Sequence, residues 1–426
     1  MKLHIKNGRL IDPANNIDAQ QDVFVADGKI AGIGQAPAGF SADKTIDASG
    51  LVVAPGLVDL SARLREPGYE YKATLESEMQ AAMQGGVTSL LCPPDTDPVL
   101  DEPGLVEMLK HRAKSLNQAH VYPLGALTMG LKGKALTEMA ELTEAGCVGF
   151  SQADEPVLDT TVLLSALQYA KTFDYTVWLR PQDPHLGRHG IAHSGPAASR
   201  LGLSGVPVMS ETIALYTIFE LVRSTGARVH LCRMSSAAGL ELVRAAKREG
   251  LPVTCDVGAH HIHLSDMDIG FFDSNARVNP PFRSQRDRDA IRAALLDGTV
   301  DAICSDHTPV DDDEKLLPFG EASPGATGLE LLLSLSLKWA EDAGAPDAIS
   351  RAVAKVTTDA ARVARLPAGS LKVGDVADVC VFDPKTRWTV EAKALASQGK
   401  HTPFLGYELS GQVQATIVSG HVAFER

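Results

Sequence analysis

The sequence predicts an α/β protein, a (β/α)8 TIM-like barrel that carries a small β-sandwich formed by its N- and C-terminal segments. Three observations point there. Across residues 55–366, eight short β-branched runs alternate with helical patterns or long loops. Residues 1–54 and 367–426 give only short segments of alternating apolar and polar residues, broken by Asp-Gly and Ser-Gly turns. The chain of 426 residues is also longer than one ordinary hydrophobic core sustains.

Taken in order, the barrel strands are GLVDLSA (56–62), VTSLLC (87–92), HVYPLGA (120–126), CVGFS (147–151), YTVWLR (175–180), RVHLCR (228–233), PVTCDV (252–257) and VDAICS (300–305). Helical patterns lie between them, such as ATLESEMQAAMQGG (73–86), PVMSETIALYTIFELVRSTG (207–226) and SSAAGLELVRAAKREG (235–250). An open doubly wound sheet is the competing arrangement, but no G-x-G-x-x-G follows the first strand. Neither terminal segment could build a core alone, so the two are expected to pair beside the barrel. Functional side chains of such a barrel come from the carboxyl ends of its strands and the loops that follow.

Composition narrows the function classes. A formal charge of −13 argues against a general nucleic-acid or anionic-membrane surface, while leaving room for a local basic pocket. No apolar run approaches the roughly 18 residues that span a bilayer. The start, MKLHIKNGRLID, alternates like a strand and lacks a leader's apolar stretch, so a cytoplasmic location is expected. Six cysteines are scattered without a C-x-x-C pair, which favours buried reduced thiols.

VVAPGLVDL (52–60) and GSLKVGDVADVCVFDP (369–384) together resemble the amidohydrolase superfamily, the metal-dependent hydrolase type of barrel. LREPG (64–68), HHIHLSD (260–266), NPPFR (279–283) and SDHTP (305–309) narrow the resemblance to dihydroorotase, and it runs from end to end. The resemblance implies ring opening and closure between N-carbamoyl-aspartate and dihydroorotate, assisted by one or two zinc ions that polarise a carbonyl and supply hydroxide near neutral pH. It implies a ligand set of His-x-His on the first strand, an acidic group after the fourth, histidines after the fifth and sixth, and an aspartate after the eighth.

Mapped here, that set fails almost everywhere. Ser61 and Arg63 replace the His-x-His pair, and Gln152 and Ala153 stand where relatives carry an acidic pair. Arg180 and Arg233 take the fifth- and sixth-strand histidine positions, and Asp306 alone is retained. Arginine is a permanent cation with five donors and no usable acceptor, so these replacements repel a dication. On the substrate side, Arg65 and Asn279 match positions that contact the substrate, whereas Asp95 replaces an asparagine and Val310 a histidine. An acceptor-only Asp95 beside a substrate carboxylate opposes binding.

Two readings of the arginines stay open. They compensate the carboxylates left behind when zinc is lost, or they form a pocket for a small anion. His260, His261 and His263 read as hydrogen-bonded fixtures, and the acidic run Asp311 to Lys315 as a solvated loop. The resemblance extends to non-catalytic dihydroorotase-like chains that assemble with the aspartate transcarbamoylase catalytic chain. It thus implies an oligomeric scaffold without cofactor; the alternative is an active dihydroorotase with a non-standard or single zinc site.

Overall fold

The structure is a computed structural model that describes residues 1–157 and 159–426. Its two ends pair into two sheets. Lys29–Ile33, Val23–Ala26, Leu3–Lys6 and Lys44–Asp47 form one in that order. The other runs His421–Glu425, Glu408–Val418, Val379–Thr389, Val52–Pro55, Arg9–Asp12 and Ile17–Gln20. Successive strand side chains face opposite sides, so Leu3 and Ile5 are buried while His4 and Lys6 are partly exposed. With Val23, Val25, Val53, Val379 and Ile417 they make a core separate from that of the barrel.

The barrel strands are β1 (Leu57–Asp59), β2 (Val87–Cys92), β3 (His120–Pro123, continued by Gly125–Ala126), β4 (Phe150–Ser151), β5 (Thr176–Leu179), β6 (Arg228–Leu231), β7 (Val253–Gly258) and β8 (Ala302–Cys304). Each pairs in parallel with the next. The ring closes beyond the ends of β1 and β8, where Ala62 bridges His307. Arg63 N–H donates to His307 O at 2.9 Å and His307 N–H to Ser61 O at 3.1 Å. This closure brings Arg63 and Asp306 together although 243 positions separate them in sequence.

The helices begin where their caps say they should. Thr74 and Ser77 exchange side-chain and backbone hydrogen bonds at 3.2 Å ahead of Leu75–Gln84. Ser236 Oγ accepts from Gly239 N at 3.0 Å at the start of Ala237–Glu249, and Gly250, with φ of 86°, ends it. No helix among the described residues is long and apolar enough to cross a membrane. All six cysteines are unpaired.

The acidic run after β8 departs from the solvated loop expected of it. Asp312–Lys315 forms one helical turn, and Lys315 is fully buried. Its side-chain nitrogen donates to Gly325 O at 2.6 Å, Arg277 O at 2.9 Å and Ser323 O at 3.2 Å, pinning its own turn to the Arg277 segment and to the loop carrying Ser323 and Gly325. Charge patterning reads the acids correctly but cannot show that the lysine folds back beneath them.

Candidate functional site at the barrel mouth

Every candidate residue lies at the carboxyl end of a barrel strand or in the loop that follows it. Arg63 and Arg65 follow β1, Asp95 follows β2, Arg180 follows β5, Arg233 follows β6, Asn279 lies beyond β7 and Asp306 follows β8. Four non-glycine residues here, Arg65, Ala153, Arg233 and Asp306, hold left-handed backbone with φ of 63°, 50°, 54° and 49°. Such conformations cost about 1 kcal/mol or more each and gather at functional sites. Arg233 is held in its turn by Asp256, whose Oδ1 accepts its N–H at 2.5 Å.

The side chains converge on a residue the sequence reading passed over. Asp154, not position 153, carries the acidic group after β4. Ala153 is buried against Ala126 and Leu131 and contributes no polar side chain. Asp154 Oδ2 accepts from Arg63 Nη2 at 3.0 Å, its Oδ1 lies 2.9 Å from Arg180 Nε, and Arg233 Nη2 donates to the same Oδ1. Arg233 Nη1 reaches Asp306 Oδ1 at 3.1 Å. Arg63 Nε donates to Asp95 Oδ2 at 2.7 Å and its Nη1 to Thr308 Oγ1 at 3.0 Å.

Three guanidinium groups therefore face three carboxylates, and the cluster is formally neutral. Charge arithmetic could have found Asp154: Asp95 and Asp306 alone leave one buried arginine without a counterion. Burial pushes the Asp154 carboxyl up, but Arg233, Arg63 and Arg180 overcome that and hold it far below the ordinary carboxylate range. Burial likewise opposes ionisation of Asp306, and Arg233, His260 and Arg63 again win. Both therefore stay charged at neutral pH and serve poorly as general bases.

The other candidates take supporting places. Arg65 donates through Nε to Pro309 O at 2.9 Å, and its guanidinium carbon sits 6.0 Å from the Tyr69 ring centre. Asn279 gives its carbonyl to Arg233 Nη1 at 3.3 Å. Ser61 lies in the closing ladder, its N–H 3.3 Å from Asp59 Oδ1. Val310 is buried. His261 meets Pro280 O at 3.0 Å and His263 meets Leu335 O at 2.9 Å, so both are fixtures. Burial pulls their pKa values down to about 3 and about 4. His260 alone faces the cluster, with Nε2 3.6 Å from Asp306 Oδ2 and no hydrogen bond.

Glu211 is a further buried group the sequence reading missed. It accepts four hydrogen bonds from the backbone and hydroxyls of Ser235 and Ser236, at 2.5–3.1 Å, and so fixes the turn that presents Arg233.

A metal does not fit these donors. Among the described residues, no group of three or more His, Cys, Asp or Glu side chains is arranged to hold a metal ion. Arg63, Arg180 and Arg233 place fixed positive charge where lone pairs are needed.

A parallel eightfold barrel with its polar cluster at the carboxyl mouth and a sandwich built from both chain ends defines the amidohydrolase type of protein. The sequence pattern described as "Dihydro-orotase-like" matches residues 50–238, and that of the "Amidohydrolase family" matches residues 210–423. A dihydroorotase-like protein of Pseudomonas aeruginosa is 46% identical over 425 residues, covering 100% of both chains. A dihydroorotase of Geobacter sp. (strain M21) is 41% identical over 425 residues, again covering 100% of both. This chain belongs to the dihydroorotase-like family. Among solved structures, the L-hydantoinase of Arthrobacter aurescens superposes with a TM-score of 0.89 at 24% identity, covering 99% of this chain and 96% of that one. The D-hydantoinase of Thermus sp. gives 0.84 at 23% identity, covering 99% and 95%. The fold class expected from the sequence is thus the one observed.

Proposed function

We propose that this chain is a dihydroorotase homologue of pyrimidine biosynthesis that does not hydrolyse, and that it serves in the cytoplasm as a structural subunit of an oligomer with the aspartate transcarbamoylase catalytic chain. One observation carries the first half: the neutral lattice of Arg63, Arg180 and Arg233 with Asp95, Asp154 and Asp306 fills the position of a hydrolytic centre. A dication there would displace guanidinium groups from carboxylates that are already paired, at a cost of several kcal/mol per buried charge. The intact barrel and sandwich beside a changed site suit a scaffold, because fold and chemistry are separable. The partner is inferred from the resemblance alone, and the unpaired cysteines suit a reducing compartment.

A second reading keeps the enzyme active on a single zinc held by Asp306 and His260, and the unpartnered His260 Nε2 favours it. It must explain how two protein donors suffice while Arg233 occupies one oxygen of Asp306. Zinc analysis and a dihydroorotase assay on the purified chain separate the two. Stoichiometric zinc with turnover of about 1 s⁻¹ or more supports the second. Co-expression with aspartate transcarbamoylase and gel filtration tests the assembly: one shared peak is expected, and independent elution overturns it.

A further inference from the structure

Beside the neutral cluster lies a second cavity, of about 150 Å³, between the loop that follows β5 and the segment carrying Asn279 and Arg283. The loop brings two short strands, Ala192–His193 and Gly205–Val206, over the mouth. Five arginines line this space, against one carboxylate, Glu211, which is saturated by Ser235 and Ser236. Two of the five, Arg180 and Arg233, are neutralised by Asp154 and Asp306.

The remaining three, Arg188, Arg277 and Arg283, form no ion pair with any carboxylate among the described residues. Arg283 is spoken for by neutral acceptors: Nη1 donates to Val206 O at 2.6 Å and Nε to Ser235 Oγ at 3.2 Å. It also feels Glu211 and Asp287 at longer range. Arg277 has one long bond, from Nη1 to Ile191 O at 3.3 Å, and its buried Nε has no acceptor. Ser210, 2% exposed, also lines the cavity with a hydroxyl that has no partner. Behind Arg277 lies the buried Lys315, whose amine burial and the Arg277 charge pull down to about 7, with Asp273 acting in the opposite sense, so the surplus charge rests on the arginines.

A buried donor left without an acceptor costs about 1–3 kcal/mol, more when it is charged. Here two residues with unsatisfied buried donors, Arg277 and Ser210, and surplus positive charge border the same small space, and carbonyl oxygens do not cancel that charge. The volume admits a group of a few heavy atoms carrying several acceptor oxygens. We propose that this cavity binds a small dianion, a phosphate or a short dicarboxylate, through Arg277, Arg188 and Ser210. The planar fork of Arg277 suits two oxygens of one such group. None of these three residues occupies a position that the family uses for metal, so the site stands whether or not the chain hydrolyses.

The test is calorimetry and thermal melting of the full chain with inorganic phosphate and, separately, malonate, at constant ionic strength set by sodium chloride. At least one anion is expected to bind saturably and to raise the melting temperature, as any ligand specific to the folded state must. Arg277→Gln should weaken that binding about tenfold or more, the scale of one charge-assisted contact, while melting no lower than the parent in chloride alone. Ser210→Ala should weaken it by a smaller factor and serves alone if Arg277→Gln fails to fold. The arms name the ligand: preference for phosphate or for malonate says which class the site takes. Absence of saturable binding for both anions, or unchanged affinity in both variants, overturns the proposal.

Discussion

Arg233 Nη1 stands 3.1 Å from Asp306 Oδ1, with both side chains about 95% buried, so the carboxylate that follows β8 is held by a fixed cation. Through its other terminal nitrogen Arg233 also reaches Asp154, which makes it the hinge of the whole cluster.

Removing that hinge leaves two carboxylates short of a counterion. Arg233→Met is expected to destabilise the fold by about 3–5 kcal/mol, the usual result of breaking one side of a buried ion pair. Urea unfolding at pH 7 measures it. A loss under 1 kcal/mol would show that Arg63 and Arg180 compensate Asp154 and Asp306 without it.

Metal should be thermodynamically irrelevant to this chain. Neither chelator nor added zinc is expected to move its melting temperature, since a ligand specific to the folded state would raise it with concentration. A zinc-dependent rise that disappears in Asp306→Asn would establish coordination at the mouth and sink the scaffold reading.

His263 is expected to make the protein acid-sensitive in a definite window. Its folded pKa lies near 4, below the roughly 6.5 of an unfolded histidine. Between those values the unfolded chain takes up a proton that the folded chain refuses, so stability falls as pH falls from about 6.5 towards 4. Asp59 and Glu330, pushed up by burial to about 6 and about 7, bind protons in the fold over part of the same range and act in the opposite sense. Comparing wild type with His263→Gln cancels them. The stability difference should change by about 1.4 kcal/mol per pH unit across the window, and a pH-independent difference contradicts the assignment.

The His307 and Glu78 side chains meet at 2.5 Å with neither exposed. Glu78 also accepts from Ser397 Oγ at 2.7 Å and Gln398 N at 3.0 Å, so it ties the barrel mouth to the C-terminal segment. Glu78→Ala should cost about 3–5 kcal/mol and open the chain around residues 396–398 to limited proteolysis. Wild-type stability with wild-type protease resistance would show that the tie is dispensable.

Much of the molecule is written locally in the chain. Seven of the eight barrel strands lie inside the runs read from the sequence and β7 overruns its run by Gly258 alone, because β-branched clusters bounded by turn residues leave few other structures open. Arg63, Arg180, Arg233 and Asp306 could be placed at strand ends by spacing and motif alone, and that the three arginines offer no lone pair to a zinc ion follows without any coordinates. Partnership could not be read that way. Asp154 looks like one more acid in a polar loop until the closing of the barrel sets three guanidinium groups around it. Ion pairing inside a protein depends on distance and desolvation, and both are set by how residues far apart in sequence are folded together. For the same reason only the tertiary structure shows that the arginines of the cluster are neutralised while Arg277, one loop away, is not.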